Sequence, residues 1–143
     1  MFVGIVEQGH YDVAALGSKR KAGDKDASYD ALDDLEKLEA NHQSQVHGIF
    51  ELFSQYAAEG RAGLTDHQMH HADQGEGILE FIRGRIRVMC FQDDHGLVLL
   101  CCANLKNTKK ADKKSVKRAI RLKKDYLKAK GEDNLNIEVL GED

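Results

Sequence analysis

The sequence contains no apolar run approaching the roughly 18 residues that a membrane-spanning helix needs. Its beginning, MFVGIVEQGHYDV, has neither a basic leader nor a long apolar core, so no secretory signal is expected. There is also no repeat and no low-complexity tract. With 143 residues, of which 41% are hydrophobic and 31% charged, the chain is typical of a globular protein in water. We therefore expect a cytoplasmic protein without a membrane partner, folded as a single domain over residues 1–143.

Cysteine is scarce, and tryptophan and proline are absent. The three cysteines, Cys90, Cys101 and Cys102, are an odd number without the spacing of metal ligands, and all lie in apolar runs. This pattern argues against a disulfide framework and predicts small buried thiols in a reducing compartment.

Acidic charge dominates both ends of the chain, and basic charge fills the stretch 80–130. That stretch holds 15 basic and five acidic residues, whereas residues 1–79 hold six basic and 14 acidic ones. The formal net charge of −3 therefore hides a basic block between two acidic ones. Such asymmetry suggests an anionic partner for the block.

The N-terminal half is predicted to be mainly helical. Residues 1–27 are interpreted as a partly mobile segment with a weak strand at 2–6, because residues 17–27 are polar and contain glycine. Apolar residues then recur at helical spacing from Ser28 to Gly60, with an interruption at Asn41. The two periodic stretches predict a helical hairpin or one long kinked helix.

Two apolar runs in the basic block predict a β-hairpin, because the turn-forming residues 93–96 separate residues 78–91 from residues 97–105. If Gln92 pairs with Leu97, then Arg87 lies opposite Cys102. In that register one face of the sheet carries Arg83, Arg85, Arg87, Asn104 and Lys106. A slip of one residue would divide them between the two faces.

A basic helix is predicted after the hairpin, with Asp112 as its cap and Gly131 as its stop. Residues 132–143 are predicted to form an acidic tail or a short strand, because Leu135, Ile137 and Val139 alternate with polar residues. These elements predict an α+β fold with a helical hairpin on a small antiparallel sheet, followed by a basic C-terminal helix.

The loop 61–77 is rich in histidine. His67, His70 and His71, with Asp66 or Asp73, are residue types that bind transition metals. No second group of ligands supports a metal site, so we interpret this stretch as a solvated loop and predict no metal and no other cofactor.

The basic block contains the motifs ILEFIRGRIRVMCF and LVLLCCANLKNTKKADKKSVKRAIRLKKDYL. Through these motifs the chain resembles, over about residues 43–130, the HigB branch of the RelE/ParE toxin superfamily. The matching positions in the first motif are Glu80, Phe81, Arg83, Arg87 and Val88. Those in the second motif are Lys106, Thr108, Lys113, Lys114, Val116, Ala119 and Tyr126. Asn107 and Asp112 replace a lysine and a proline of the family's loop.

The resemblance implies a RelE-like fold and a type II toxin, an endoribonuclease that cleaves mRNA on the ribosome by 2′-hydroxyl attack without a metal. A cognate antitoxin is the implied protein partner. For such chemistry we predict Arg83 and Arg87 as phosphate clamps, with Lys106 and Lys109 as stabilisers or acid. The RNA-binding residues predicted around them are Arg85, Asn104, Thr108, Lys110, Lys113 and Lys114. His95, in the hairpin turn, is predicted to be a spectator.

Two alternatives remain open at this point. A basic strand and helix also suit a non-catalytic nucleic-acid-binding or phage-derived accessory protein, since phosphate contacts need no chemistry. A gyrase poison, as in the ParE branch, is the lesser alternative.

Overall fold

A computed structural model of the protein describes residues 1–18, 27–106 and 112–141. Within them the chain forms two α-helices and eight β-strands. The helices are α1 (Asp30–Glu59) and α2 (Lys113–Gly131). The strands are β1 (Phe2–Glu7), β2 (Val13–Ser18), β3 (Ser28–Tyr29), β4 (Met69–Asp73), β5 (Ile78–Arg83), β6 (Ile86–Gln92), β7 (Val98–Leu105) and β8 (Asn136–Val139).

The strands form one mixed sheet in the order β4-β5-β6-β7-β2-β1-β8, with β3 paired to β2. The pairs β2–β7 and β1–β8 are parallel, and the other pairs are antiparallel. The α+β class is confirmed, but the small antiparallel sheet predicted from the sequence is wrong. The sheet is larger because β2 pairs with β7 and so adds the N-terminal strands to the hairpins of the basic block.

A helix covers each face of the sheet, and each encloses its own core. On one face, Ile49 and Phe53 of α1 pack against Phe81, Val88 and other sheet residues. On the opposite face, Ala119 and Tyr126 of α2 pack in a second core with the side chains of adjacent strands, among them Met89, Phe91 and Leu99. We call these the α1 side and the α2 side. Neighbouring residues of one strand alternate between them.

Helix α1 is a single element with a kink rather than a hairpin. His42 has φ −139° and ψ 38°, outside the helical region, near the interruption that the sequence shows at Asn41. The helix begins at Asp30, two residues after the predicted start at Ser28, because Ser28 and Tyr29 pair with β2. Of the two predicted arrangements, the long kinked helix is therefore the observed one.

The N-terminal segment is part of the sheet. Residues 13–16 are fully buried, and β1 and β2 pair in antiparallel register from Phe2↔Gly17 to Glu7↔Val13. The weak strand predicted at residues 2–6 is confirmed as β1, and the mobility predicted for the polar stretch 17–27 stays a prediction. Residues 19–26 lie outside the described part of the chain.

The stretch 78–91, predicted as one strand, is two strands. Chain reversal occurs at Gly84 and Arg85, where Gly84 has φ 57°, the left-handed region in which glycine is the least strained residue. Arg83 consequently pairs with Ile86 across this turn. The predicted hairpin over residues 93–96 also exists, between β6 and β7.

The register of the β6–β7 hairpin differs from the predicted one. Gln92 pairs with Val98 rather than Leu97, and a bulge between Met89 and Cys90 shifts the pairing again, so that Arg87 lies opposite Asn104. Cys101 is the extra residue in this bulge. All three cysteines are at most 1% exposed, which confirms the predicted buried thiols.

Helix α2 and β8 agree with their predictions. The Asp112 side chain accepts a hydrogen bond of 3.0 Å from the Lys114 N–H and caps the helix. The helix ends at Gly131, and β8 lies at one edge of the sheet. In the described ranges neither helix is long and apolar enough to cross a membrane.

Candidate functional site

Arg83 and Arg87 lie on opposite sides of the sheet. Arg83 pairs with Ile86, whose side chain belongs to the α1-side core, and the Arg83 side chain lies against Gly48 of α1. Arg87 precedes Val88, another residue of that core, and therefore faces the α2 side. The prediction that all the cationic side chains share one face is thus wrong for Arg83, because the turn at Gly84 reverses the chain between the two arginines.

Arg85 and Lys106 lie at the end of the sheet, between the two faces. The Lys106 N–H donates to the Arg85 carbonyl at 2.7 Å, and the Arg85 Nε donates to the Lys106 carbonyl at 3.3 Å. The Gln45 side chain of α1 accepts a hydrogen bond from the Arg85 N–H at 3.3 Å. These contacts fix the turn at one end of the hairpin, beside Arg87.

Three buried polar atoms on the α2 side lack a hydrogen-bond partner among the described residues. They are Glu80 Oε2, Arg87 Nε and Asn104 Oδ1, and they come from the adjacent strands β5, β6 and β7. Unpartnered buried polar atoms cost free energy, and their concentration in one place is typical of a functional site. With His70 these residues form what we call the α2-side cluster.

Arg87 is the cation of this cluster. Its Nη1 donates to the Gly84 and Ile86 carbonyls at 2.7 and 3.0 Å, so the turn holds the guanidinium in place. Burial lowers the pKa of Arg87, and the negative charge of Glu80 opposes that effect. Since arginine stays charged in proteins, Arg87 presents a fixed positive charge in a half-buried position.

Asn104 connects the cluster to the start of α2. It lies opposite Arg87, and its Nδ2 donates to Asp112 Oδ2 at 3.0 Å. Burial acts to raise the pKa of Asp112, but hydrogen bonds from the Lys114 N–H, Ser115 and Asn104 outweigh it and lower the pKa. The carboxylate therefore stays ionised and fixes the N-terminus of the basic helix beside the cluster.

An open cleft of about 450 Å³ lies between the first half of α2 and β4. Its lining combines apolar and charged side chains: Ala72, Asp73, Lys113, Val116, Lys117 and Ile120. Lys113 and Lys117 are exposed and have no acidic partner within the described residues. The neighbouring Arg118, by contrast, pairs with Asp30 of α1 at 2.8 Å. The cleft thus presents positive charge beside the cluster.

His70 and Glu80 form a pair across β4 and β5. The two residues lie opposite each other in the ladder, and His70 Nε2 is 2.6 Å from Glu80 Oε1. The Glu80 side chain is 2% exposed and the His70 side chain 43% exposed. A buried carboxylate therefore fixes the orientation of an imidazole ring that solvent reaches.

His70 was predicted to lie in a solvated loop and not in the site. Because residues 69–73 form β4, His70 and His71 face opposite sides of the sheet, and no group of three metal-ligating side chains forms within the described residues. His95 lies at the opposite end of the β6–β7 hairpin from Arg87. The signal for Glu80 was present, because a charged residue inside the apolar run ILEFI needs a buried partner.

The remaining predicted site residues fall into two groups. The exposed first turn of α2 contains Lys113 and Lys114. This turn lies next to Asn104, because the Asp112 side chain accepts hydrogen bonds from both Asn104 and the Lys114 N–H. Thr108, Lys109 and Lys110 lie outside the described residues.

The α+β architecture, with a helix on each side of a mixed sheet, fits a toxin-like fold. Residues 33–124 match the family model described as phage-derived protein Gp49-like (DUF891). Because the match covers more than half of the chain, the protein belongs to this family, which is related to the toxins of toxin–antitoxin systems. Proteins of this toxin-like kind usually pair with an antitoxin.

A comparison with curated proteins finds no match to the chain. The family match spans α1, β4–β7 and most of α2, and so contains the whole α2-side cluster. The strands β1, β2, β3 and β8 lie outside it.

Proposed function

We propose that the protein is a toxin-like endoribonuclease that cleaves mRNA on the ribosome, with the α2-side cluster as its site and a cognate antitoxin as its protein partner. The observation that carries the proposal is the group of unpartnered buried polar atoms of Glu80, Arg87 and Asn104 beside the basic start of α2. The proposal is further supported by the kinship of the Gp49-like family with toxin–antitoxin toxins.

Cleavage of RNA by its own 2′-hydroxyl sets three requirements. The hydroxyl must lose a proton, the pentacovalent phosphate must be neutralised and the leaving 5′-oxygen must gain a proton. Arg87 meets the second requirement, because a half-buried guanidinium attracts a phosphate oxygen more strongly than one in water does. Lys113 and Lys117 line the adjoining cleft, where they would bind the flanking phosphates.

The two arginines of the β5–β6 hairpin provide the test. We expect expression of the protein in a bacterial host to slow growth and to leave cut messages with 2′,3′-cyclic phosphate ends. Arg87→Ala should lower cleavage by about 10²- to 10³-fold, the usual effect of removing one transition-state donor. Arg83→Ala is the matched control, because Arg83 lies on the α1 side, and it should change cleavage only a few-fold.

Four results would contradict the proposal. If the unchanged protein neither slows growth nor cuts messages, the nuclease function is lost. If both arginine variants lose cleavage equally, the site is not on the α2 side. If RNA binds in a salt-dependent way but stays intact on translating ribosomes, the protein is a non-catalytic nucleic-acid-binding protein. If expression of the protein induces DNA damage instead of cutting messages, the protein is a gyrase poison.

A further inference from the structure

His70 is a histidine with one nitrogen fixed and the other unbound. Nε2 lies 2.6 Å from Glu80 Oε1, and Nδ1 has no hydrogen-bond partner among the described residues. When Nε2 carries the hydrogen and donates it to the carboxylate, Nδ1 has a lone pair that can accept a proton. A carboxylate also orients the imidazole general base of hydrolytic triads, with the roles of the two ring nitrogens exchanged.

The ring is also placed where a substrate can reach it. The side chain is 43% exposed, and β4 continues from His70 to Ala72 and Asp73, which line the cleft beside α2. Glu80, its partner, belongs with Arg87 and Asn104 to the cluster of unpartnered polar atoms. Glu80 on β5 contacts His70 directly, and the charged groups that share the α2 side with it include Arg87 on β6, Asp73 on its own strand, and Lys113 and Lys117 on α2.

We propose that His70 is the general base of the cleavage and that Glu80 is its positioning residue. This inference rests on the proposed nuclease function. Nδ1 takes the proton of the 2′-hydroxyl while the O2′–P bond forms and the P–O5′ bond breaks. The leaving 5′-oxygen takes its proton from water, and the imidazolium that results is stabilised by the Glu80 carboxylate.

The test measures cleavage of mRNA on translating ribosomes with the full-length protein between pH 5 and pH 8. We expect the rate of the unchanged protein to rise with pH, since imidazole is the side chain that ordinarily loses its proton in this range. His70→Ala should lower the rate by about 10²-fold or more and remove this rise. Added imidazole should restore part of the lost rate, which a purely structural role for His70 would not allow.

Two variants separate chemistry from folding. His70→Gln keeps an amide donor for Glu80 but accepts no proton, so it should fold normally by circular dichroism and remain inactive. His71→Ala is the matched control, because His71 is exposed, lies on the same strand and faces the other side of the sheet. It should leave the rate within about twofold.

Glu80→Gln tests the positioning role. It should lower the rate by about 10- to 100-fold, as the loss of an orienting partner usually does. It should lower kcat and leave KM little changed, because Glu80 orients the imidazole ring and does not contact the RNA.

The outcomes distinguish this inference from the function on which it rests. If the unchanged protein cleaves and His70→Ala cleaves within a few-fold of it, or is not rescued by imidazole, the assignment of His70 is wrong and the nuclease proposal stands. If the unchanged protein does not cleave, both are overturned.

Discussion

Gly48 lies in the second half of α1, where the side chain of Arg83 crosses the helix. A Cβ atom at this residue would meet Arg83 Nε and lie 2.7 Å from Arg83 Cγ. The Arg83 side chain is exposed, so it can turn into solvent away from the new methyl group by adopting another χ1 rotamer. Glycine inside a helix costs roughly 0.5–1 kcal/mol relative to alanine.

We therefore expect Gly48→Ala to raise the free energy of unfolding by up to about 1 kcal/mol in a urea titration. Cleavage should not change, because Arg83 is not part of the α2-side cluster. A fall in stability would show instead that α1 holds the Arg83 side chain in its place.

How much of the site could be predicted from the sequence also depended on single residues. The shared face of Arg87 and Asn104 was predicted from a register that differs from the observed one. It holds because the turn after Gln92 and the bulge at Cys101 each shift the pairing by one residue, and two such shifts return the side chains to the same face. The position of Arg83 depends on Gly84, and a Gly-X pair between two apolar runs is itself a signal for a two-residue turn. Reading residues 78–91 as one strand overlooked that signal.

At the scale of elements, α2 is fixed at both ends. Its C-terminal half is held to the turn between β6 and β7, where Asp93 Oδ2 accepts hydrogen bonds from Tyr126 Oη at 2.6 Å and Lys130 Nζ at 2.8 Å. Burial acts to raise the pKa of Asp93, but the hydrogen bonds from Lys130 and Tyr126 outweigh it and lower the pKa. The ionised carboxylate therefore stabilises the folded state.

Asp93→Asn should lower the free energy of unfolding near pH 7 by about 1–2 kcal/mol. This loss is smaller than that of a fully buried charged hydrogen bond, because Lys130 is exposed and water screens its charge. A carboxyl group whose pKa is lower in the folded than in the unfolded protein stabilises the fold fully at any pH above its pKa in the unfolded chain, which is about 3.9. The difference in the free energy of unfolding between the unchanged protein and Asp93→Asn should thus persist above about pH 5 and shrink as the pH falls below ~4. Urea titrations at several pH values would measure it, and a difference independent of pH would contradict the role of the charge.

The elements themselves were predictable where their signal is local. Both helices follow from apolar residues at helical spacing, and the Asp112 cap follows from its position before the basic helix. The β6–β7 register was not predictable, because the bulge at Cys101 inserts a residue that no local pattern in LVLLCCANL reveals.

For the whole molecule, the N-terminal strands determine whether the sheet is complete. Val13 is 0% and Leu16 1% exposed, and β2 pairs with β7 along Val13↔Val98 to Ala15↔Leu100. Burying these two side chains alone contributes about 3–6 kcal/mol, which is comparable to the net stability of roughly 5–15 kcal/mol of an ordinary domain.

Deletion of residues 1–18 should therefore abolish cooperative unfolding and cause aggregation through the exposed edge of β7. Deletion of residues 136–143 is the matched control, because β8 is an edge strand with three exposed residues, and this variant should still unfold cooperatively. Thermal unfolding and size-exclusion chromatography measure both. A stable, monomeric protein lacking residues 1–18 would contradict the role assigned to β1 and β2.

The part of the fold that the sequence did not predict is the part formed by contacts distant along the chain. The parallel pairs join residues far apart in sequence, 85 positions for Val13↔Val98 and 134 for Phe2↔Asn136. Alternation within a strand says nothing about which strands are its neighbours. The His70–Glu80 pair was missed for a local reason, because the prediction of a loop over residues 61–77 left out β4. Most helices and strands were thus predicted, whereas the order of the strands in the sheet was not.

The buried thiols make the centre of the sheet observable without any added label. Cys90 belongs to the α1-side core, while Cys101 and Cys102 belong to the α2-side core. Burial raises the pKa of each thiol, that of Cys102 to about 11, so the native protein offers alkylating reagents almost no thiolate. Modification then requires the layers to separate, and its rate reports how often each side of the molecule opens.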